Sequence, residues 1–465
     1  MHVTDGPTFD LIILGGGPSG SVAGIAAARL GAKVLIVEQQ GFLGGSLTAM
    51  GVGPMMSFHN SAGDQVVYGI AQEIVDRLQA AGASPGHIPD SITYCSTVTP
   101  FDAEALKVVL ETLLTEAGGN TLFHAQLAHV DHRDGRIDSV VVCTEAGLLR
   151  LPARQFIDAS GNAVLAWMSG TDCWVGRHGD GATQPMTMKL KVGNVDIAKV
   201  RAYIEAHPDD FIFKEGAEEG LRRLRRTPRV SAAGFLQAWA AARAGGEVTV
   251  PRSDVLFFET ATPGVVIANT SRIQGLDATD PAELSRAEML GRRQAAEIFR
   301  FLRAHCAGFE DAINLGTPSH IGVRETRHVR AEYVIEAEDV LNERQFPDPI
   351  ALGGYPIDIH SPEGEHTDSQ HLRRHATYQI PMRALIATRP ANLTLVGRHI
   401  GATHEAAAAF RVTPIVMAIG QGGGALAALA IARDCDPRNL DYEPVAAALR
   451  AQGAMLEPDA REPQT

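Results

Sequence analysis

The stretch FDLIILGGGPSGSVAGIAAARLGAKVLIVEQQ, from Phe9 to Gln40, constrains the fold more than any other part of the chain. Leu11 to Leu14 reads as a buried strand. Gly15, Gly17 and Gly20 then fill a G-x-G-x-x-G spacing, in which glycine permits a tight turn, close approach of backbone to a pyrophosphate, and contact between helix and sheet. The small residues Ser21 to Leu30 carry the helix, Gly31 ends it, and Lys33 to Val37 reads as a second strand closed by Glu38; Pro18, Ser19 and Gln39 are counted with the nucleotide-binding residues. Such a βαβ unit holds dinucleotide phosphates at a helix N-terminus. A carboxylate at Glu38 can accept both ribose hydroxyls and would repel a 2′-phosphate.

With 465 residues and 45% hydrophobic content, the chain can build two domains with substantial cores. A net charge of −13 disfavours nucleic acid as a partner, because phosphate binding draws on excess Lys and Arg. The basic run Arg222 to Arg229 is read as a solvated helix face. Five scattered cysteines form no C-x-x-C pair, which excludes disulfide reductase chemistry of that type. The loop histidines from His366 to His375 lack metal-ligand spacing, and no metal is expected. Only eight residues precede the first strand, and the sequence is read as having no signal segment or membrane span. A reducing cytoplasm is the expected compartment.

The fold class expected is α/β, a Rossmann-like dinucleotide-binding domain with an inserted α+β substrate domain. The first part covers residues 1–186. In it, GGSLTAMGVGP from Gly44 is a loop returning toward the nucleotide, Gly69 to Gly82 is helical, and Asp102 caps a helix from Phe101 to a Gly118-Gly119 stop. Thr121 to Val130, Ile137 to Val142 and Leu148 to Ile157 read as strands leading into IDASGN. Residues 187–383 form the insertion, with strands in TMKLKVGNV, VLFFET and VVIANTSRI and helices at Asp196 to Ala206, Ala232 to Ala244 and Pro281 to His305. Residues 384–451 return to the first domain and end in a long helix of small residues from near Pro414. Gly422 to Gly424 in that helix is read as close packing rather than a second phosphate loop. Residues 452–465 form a flexible tail.

Taken together, these motifs resemble the FAD-dependent oxidoreductase family FAD_oxidored, among the glutathione-reductase-like flavoproteins that include the fumarate reductase flavoprotein group. The resemblance rests on GGGPSG at Gly15, GG-x-x-T at Gly44 to Thr48, DASG at Asp158, RETRHVRAEY at Arg324, YPIDIH at Tyr355, and NLTLVGRHIGATHEAAAAFRVTPIVMAIGQ at Asn392. It implies non-covalent FAD, with adenosine at Glu38 and the backbone near Leu127. The pyrophosphate would lie on Gly15 to Gly20 and near Ser46. The ring would lie between the loop holding Gly44, Gly45 and Thr48 and the helix start at Val412 and Thr413. Ala159, Gly161, Gly397 and Arg398 complete the implied cofactor set. His328 and Ala331 depart from the usual family residues in this region.

The expected activity is dehydrogenation of a small organic substrate by hydride transfer to flavin N5, with a diffusible acceptor such as dioxygen or a quinone. The alternatives are an NAD(P)H-dependent flavin monooxygenase and a non-catalytic FAD-binding or sensing protein. Loss of hydride from a C–H bond needs a base for the accompanying proton, and histidine suits neutral pH. His404, between the ribityl-binding strand end and the flavin-facing helix, is the first candidate. His360, with Asp358 beside it, is the second. Arg324, Arg327 and Arg411 are candidate anchors for a carboxylate or carbonyl. In a regular strand Arg324 and Arg327 would face opposite ways, so only one would line a cavity.

Overall fold

The computed structural model describes residues 2–458. A parallel sheet runs in the spatial order Asn120–Leu122, Val34–Val37, Phe9–Leu14, Gly147–Asp158, Leu393–Leu395. Every residue of Val34–Val37 is buried, as the uninterrupted Val-Leu-Ile-Val run requires of a strand covered on both faces. Gly147–Asp158 is one long strand serving two sheets. Gly147 to Pro152 pair antiparallel with Arg136–Thr144, and Ala153 to Asp158 pair parallel with Phe9–Leu14. Pro152, which has no N–H to give a ladder, stands where the partner changes.

The run expected as one strand from Thr121 to Val130 is two, Asn120–Leu122 and Gln126–Arg133. Between them His124 takes a left-handed conformation, φ 53°, and Ala125 N–H donates to the Glu38 carbonyl at 3.1 Å. That bend carries the chain from the parallel sheet into the antiparallel meander.

The insertion is built on a five-stranded antiparallel sheet, in the order Ser231–Gly234, Val255–Glu259, Val266–Ala268, Leu190–Gly193, Ile313–Gly316. Helix Pro281–His305, capped by Asp280, packs into its own core with Trp239 and Phe257. The helix expected from Ala232 begins only at Leu236. Ser231–Gly234 is the outer strand instead, and Gly234 lies so close to Phe211 that a Cβ there would meet its ring at 2.2 Å. The insertion's core runs from Met186 to Val323. Residues Val329 to Ile386 pack into the larger core, which differs from the division at 383 expected from sequence texture.

The sequence was read as having no membrane-length apolar segment, yet helix Thr413–Ala432 is long and apolar enough to span a bilayer by composition. Here it is a core helix, buried against Pro18–Arg29. Gly420 and Gly424 make the crossing: a Cβ at either would stand 2.2 Å from a backbone oxygen of the other helix, Ser19 O or Ala23 O.

Gly424→Ala tests that contact with opposed signs. Helix propensity favours alanine by about 1 kcal/mol, whereas forcing two rigid backbones apart costs about 1–3 kcal/mol or more. We expect a net loss of stability, read as a lower urea midpoint at unchanged slope.

Candidate active site

A cleft of about 500 Å³, within the range of small-molecule sites, runs from the glycine-rich turn to the inserted sheet. At its first end, Gly15 has φ +102° and lies against the strand end at Ala159, where a Cβ would meet Ala159 O at 2.5 Å. Gly20 lies over Gly15 O, a Cβ there falling at 1.9 Å. Both glycines are explained by the chain's own packing. Gly17 is not: its φ is −66°, and a Cβ built on it meets nothing within 4 Å. It faces the cleft as N-cap of Pro18–Arg29, whose first turn has neither a side-chain cap nor an acid. The free N–H groups there form an anion site that a side chain at Gly17 would obstruct.

Glu38 lines the same end, but its carboxylate does more than face a ribose. Its oxygens accept Gly16 N–H at 2.7 Å and Gln40 N–H at 2.8 Å, which fixes the turn and leaves further lone pairs toward the cleft. Burial pushes its pKa up against these backbone hydrogen bonds. Gln39 and Leu127 lie beside it on the cleft wall, and Pro18, Ser19, Ala159 and Gly161 line the middle. Gly20, Gly44 and Thr48 do not line it. The Thr48 hydroxyl donates to Leu43 O at 2.9 Å, and Gly44 N–H to Gly16 O at 2.8 Å, so these residues tie the second loop to the first. Gly45 and Ser46 of that loop do reach the cleft.

A second helix N-terminus opens onto the cleft beyond them. Val412 is the N-cap of Thr413–Ala432, again with no side-chain cap and no acid in the first turn. Gly397 and Arg398 stand nearby. The Arg398 guanidinium donates to Asn162 Oδ1 at 2.5 Å, its Nε has no partner among the described residues, and burial lowers its pKa to about 10.

The far end is polar and cationic. Arg324, Arg411, His360 and Lys189 line it with Asp358 and Tyr355. Arg411 donates to Asp358 O at 3.0 Å and to Asp358 Oδ2 at 3.3 Å, while Tyr94 and Tyr355 hydroxyls occupy the same carboxylate at 2.7 and 3.1 Å. His360 Nε2 is 3.6 Å from Asp358 Oδ2, too far for a hydrogen bond, and its Nδ1 meets the Thr367 hydroxyl at 3.2 Å. Burial, then the charges of Arg324 and Arg411, hold His360 well below the usual histidine range, so its ring is neutral near pH 7.

Two expected site residues lie elsewhere. His404 does not meet the cleft; it is buried at the start of helix His404–Phe410 with Nδ1 2.7 Å from Glu325 Oε1. Arg327 points away from Arg324, stacking 4.7 Å over the Trp167 ring and donating to Asn162 O at 3.1 Å. The same Glu325 oxygen receives His328 Nε2 at 2.8 Å, and the other receives Gln184 N–H at 2.9 Å. Glu325 thus clasps three segments behind the wall that carries Arg324.

Lys189, Asn269 and Thr187 were not foreseen as cleft residues. Their only sequence signal was a lysine beside apolar residues in TMKLKVG, shared equally by Lys191, which is exposed.

Burial opposes ionisation of Glu325, but hydrogen bonds from His328 and His404 outweigh it and hold its pKa at about 2, against an ordinary 4.5. A carboxyl depressed on folding adds stability above its ordinary value and loses it as pH falls through the folded one. Glu325→Gln should therefore destabilise at pH 7, by about 3 kcal/mol if it behaves as a broken buried pair. The deficit should shrink between about pH 4.5 and about pH 2, followed by urea unfolding across that window.

A segment of 53 residues is 45% identical to mitochondrial dihydrolipoyl dehydrogenase of Dictyostelium discoideum, covering 11% of each chain. A longer one, 166 residues, is 28% identical to thiamine thiazole synthase of Methanococcus aeolicus, covering 34% of this chain and 57% of that protein. The chain thus spans about a tenth of the dihydrolipoyl dehydrogenase and somewhat over half of the synthase. Among solved structures, a geranylgeranyl bacteriochlorophyll reductase-like protein from Thermoplasma acidophilum superposes with TM-score 0.48 at 14% identity, covering 96% of this chain and 82% of that one. Residues 10–449, from the strand Phe9–Leu14 to the helix Tyr442–Ala451, match the FAD dependent oxidoreductase family, and the chain belongs to it.

Proposed function

We propose that this FAD enzyme dehydrogenates a small organic substrate held between the cofactor and the inserted sheet, passing the electrons to a diffusible acceptor. The observation that carries the reading is the half-buried His360 lining one cleft with Arg324, Arg411 and two uncapped helix N-termini. The long strand that passes from the parallel sheet into the meander suits a glutathione-reductase-type arrangement.

The residues fit FAD. Gly17 leaves open a space that the chain itself does not need, and the free N–H groups after it suit a pyrophosphate. Bound there, FAD supplies a two-electron acceptor for a hydride. The N–H groups at Thr413 stabilise negative charge at their end of the cleft. Arg324 and Arg411 orient the substrate. His360 accepts the proton from the substrate's oxygen as the C–H bond gives up its hydride, leaving a carbonyl product. The Thr367 hydroxyl at Nδ1 fixes the ring for that transfer.

Three measurements test this. Anaerobic mixing of the holoprotein with hydroxylated metabolites should bleach the flavin band; bleaching by NADH or NADPH alone would instead favour the monooxygenase reading. His360→Asn should keep its FAD and lower the rate of that bleaching by about 10²–10⁴-fold. Gly17→Ala should leave the melting of the cofactor-free protein unchanged while weakening FAD about tenfold or more, some 1.4 kcal/mol, by equilibrium fluorescence titration.

A further inference from the structure

The far end of the cleft holds more positive charge than the protein neutralises. Lys189 is 6% exposed, and its one hydrogen bond runs to Asn269 Oδ1 at 2.5 Å, a neutral acceptor. Arg324 donates through Nη1 to Pro185 O at 2.5 Å and to the Thr187 hydroxyl at 2.6 Å, again neutral acceptors. Its Nε and Nη2 make no hydrogen bond among the described residues. The acids of this region are engaged otherwise: Asp358 by Arg411 and two tyrosines, Asp254 by Arg252. Among the described residues neither Lys189 nor Arg324 has a carboxylate within ion-pair distance.

Buried cations without counter-charges are costly, and proteins otherwise pair them. Here burial and the neighbouring Arg324, Arg252 and Arg411 hold the Lys189 amine well below its ordinary range, and burial with Arg411 and Arg272 lowers Arg324 to about 9. Both side chains line the cleft rather than a closed core. The pyrophosphate site at Gly17 lies at the other end, beside the Glu38 turn, and the uncapped helix start at Thr413 is a separate source of positive potential.

We propose that Lys189 and Arg324 together bind a carboxylate of the substrate, so that the enzyme acts on small carboxylic acids. This rests on the reading of the cleft as the substrate site. Arg324 presents a planar guanidinium with two free donors, and Lys189, one residue before strand Leu190–Gly193, presents an amine that a bound carboxylate would hold protonated. The Thr187 hydroxyl and Asn269 hold the two cations in place. An acid gripped there places its neighbouring carbon toward His360 and the cofactor side of the cleft. A neutral analogue of the same shape leaves the two cations unpaired.

The test uses the FAD-loaded protein without turnover. Lactate, glycolate and succinate, their primary amides, and inorganic phosphate are titrated anaerobically, with perturbation of the flavin visible band as the readout. We expect saturable perturbation by at least one acid, with its amide at least tenfold weaker, and loss of at least tenfold in acid affinity in Lys189→Gln at unchanged FAD content. Arg324→Lys, which keeps the charge, should lose less than Arg324→Met. Equal binding of acids and amides, binding of phosphate alone, no binding by any acid, or full acid affinity in Lys189→Gln would overturn the assignment. An acid that binds in this way without bleaching the flavin upholds the carboxylate site and counts against dehydrogenation of that acid.

Discussion

The near-contact of two helix backbones governs this molecule. Pro18–Arg29 and Thr413–Ala432 meet through Gly420 and Gly424, with Ser19 and Ala23 opposite and no side chain between. Only glycine at 420 and 424 permits that separation, because a Cβ on either would overlap Ser19 O or Ala23 O. The crossing brings together two helices far apart in sequence so that both open their N-terminal ends on one cleft. The placing of both helix N-termini on the cleft therefore follows from a backbone packing that begins at Ser19, itself on the cleft wall.

The second organising constraint is charge. The inserted sheet and the hairpin Ile357–His360 with Thr367–Gln370 deliver arginine, lysine and histidine side chains to the far end of the cleft. Glu325, directly after Arg324, turns the other way and collects His328, His404 and the Gln184 amide. Alternation along the chain thus separates a cationic wall from the carboxylate that braces it. The brace is buried and fully hydrogen-bonded, which is what allows it to stay ionised beside an apolar core.

Much of this was readable in advance where the signal is local. The glycine spacing and the cap Asp102 depend on neighbouring residues, and both lie where the sequence places them. Arg324 and Arg327 do part, although Arg324 lies outside the strand Arg327–Val329 that alternation presumed. Signals that depend on distant chain were not readable. Lys189 and Lys191 flank one leucine, and only the covering segments bury one and expose the other. His404 sits in a motif just ahead of helix Thr413–Ala432, yet its ring turns to Glu325, a partner 79 positions away. Ser231–Gly234 resembles the start of a helix until the sheet and Phe211 claim it.

The strand Gly147–Asp158 sets an order on the making of the protein. As the chain emerges from the ribosome, this strand can pair at once with Phe9–Leu14 and with the meander, but its other neighbour, Leu393–Leu395, comes only after the whole insertion. Until then the central sheet keeps an open hydrogen-bonding edge, and Pro18–Arg29 lacks the late helix that covers it. Pairings this distant are slow and leave apolar surface open to association. The insertion, with a core of its own between Met186 and Val323, is the part equipped to fold during that interval, so the nucleotide-binding half begins first and finishes last.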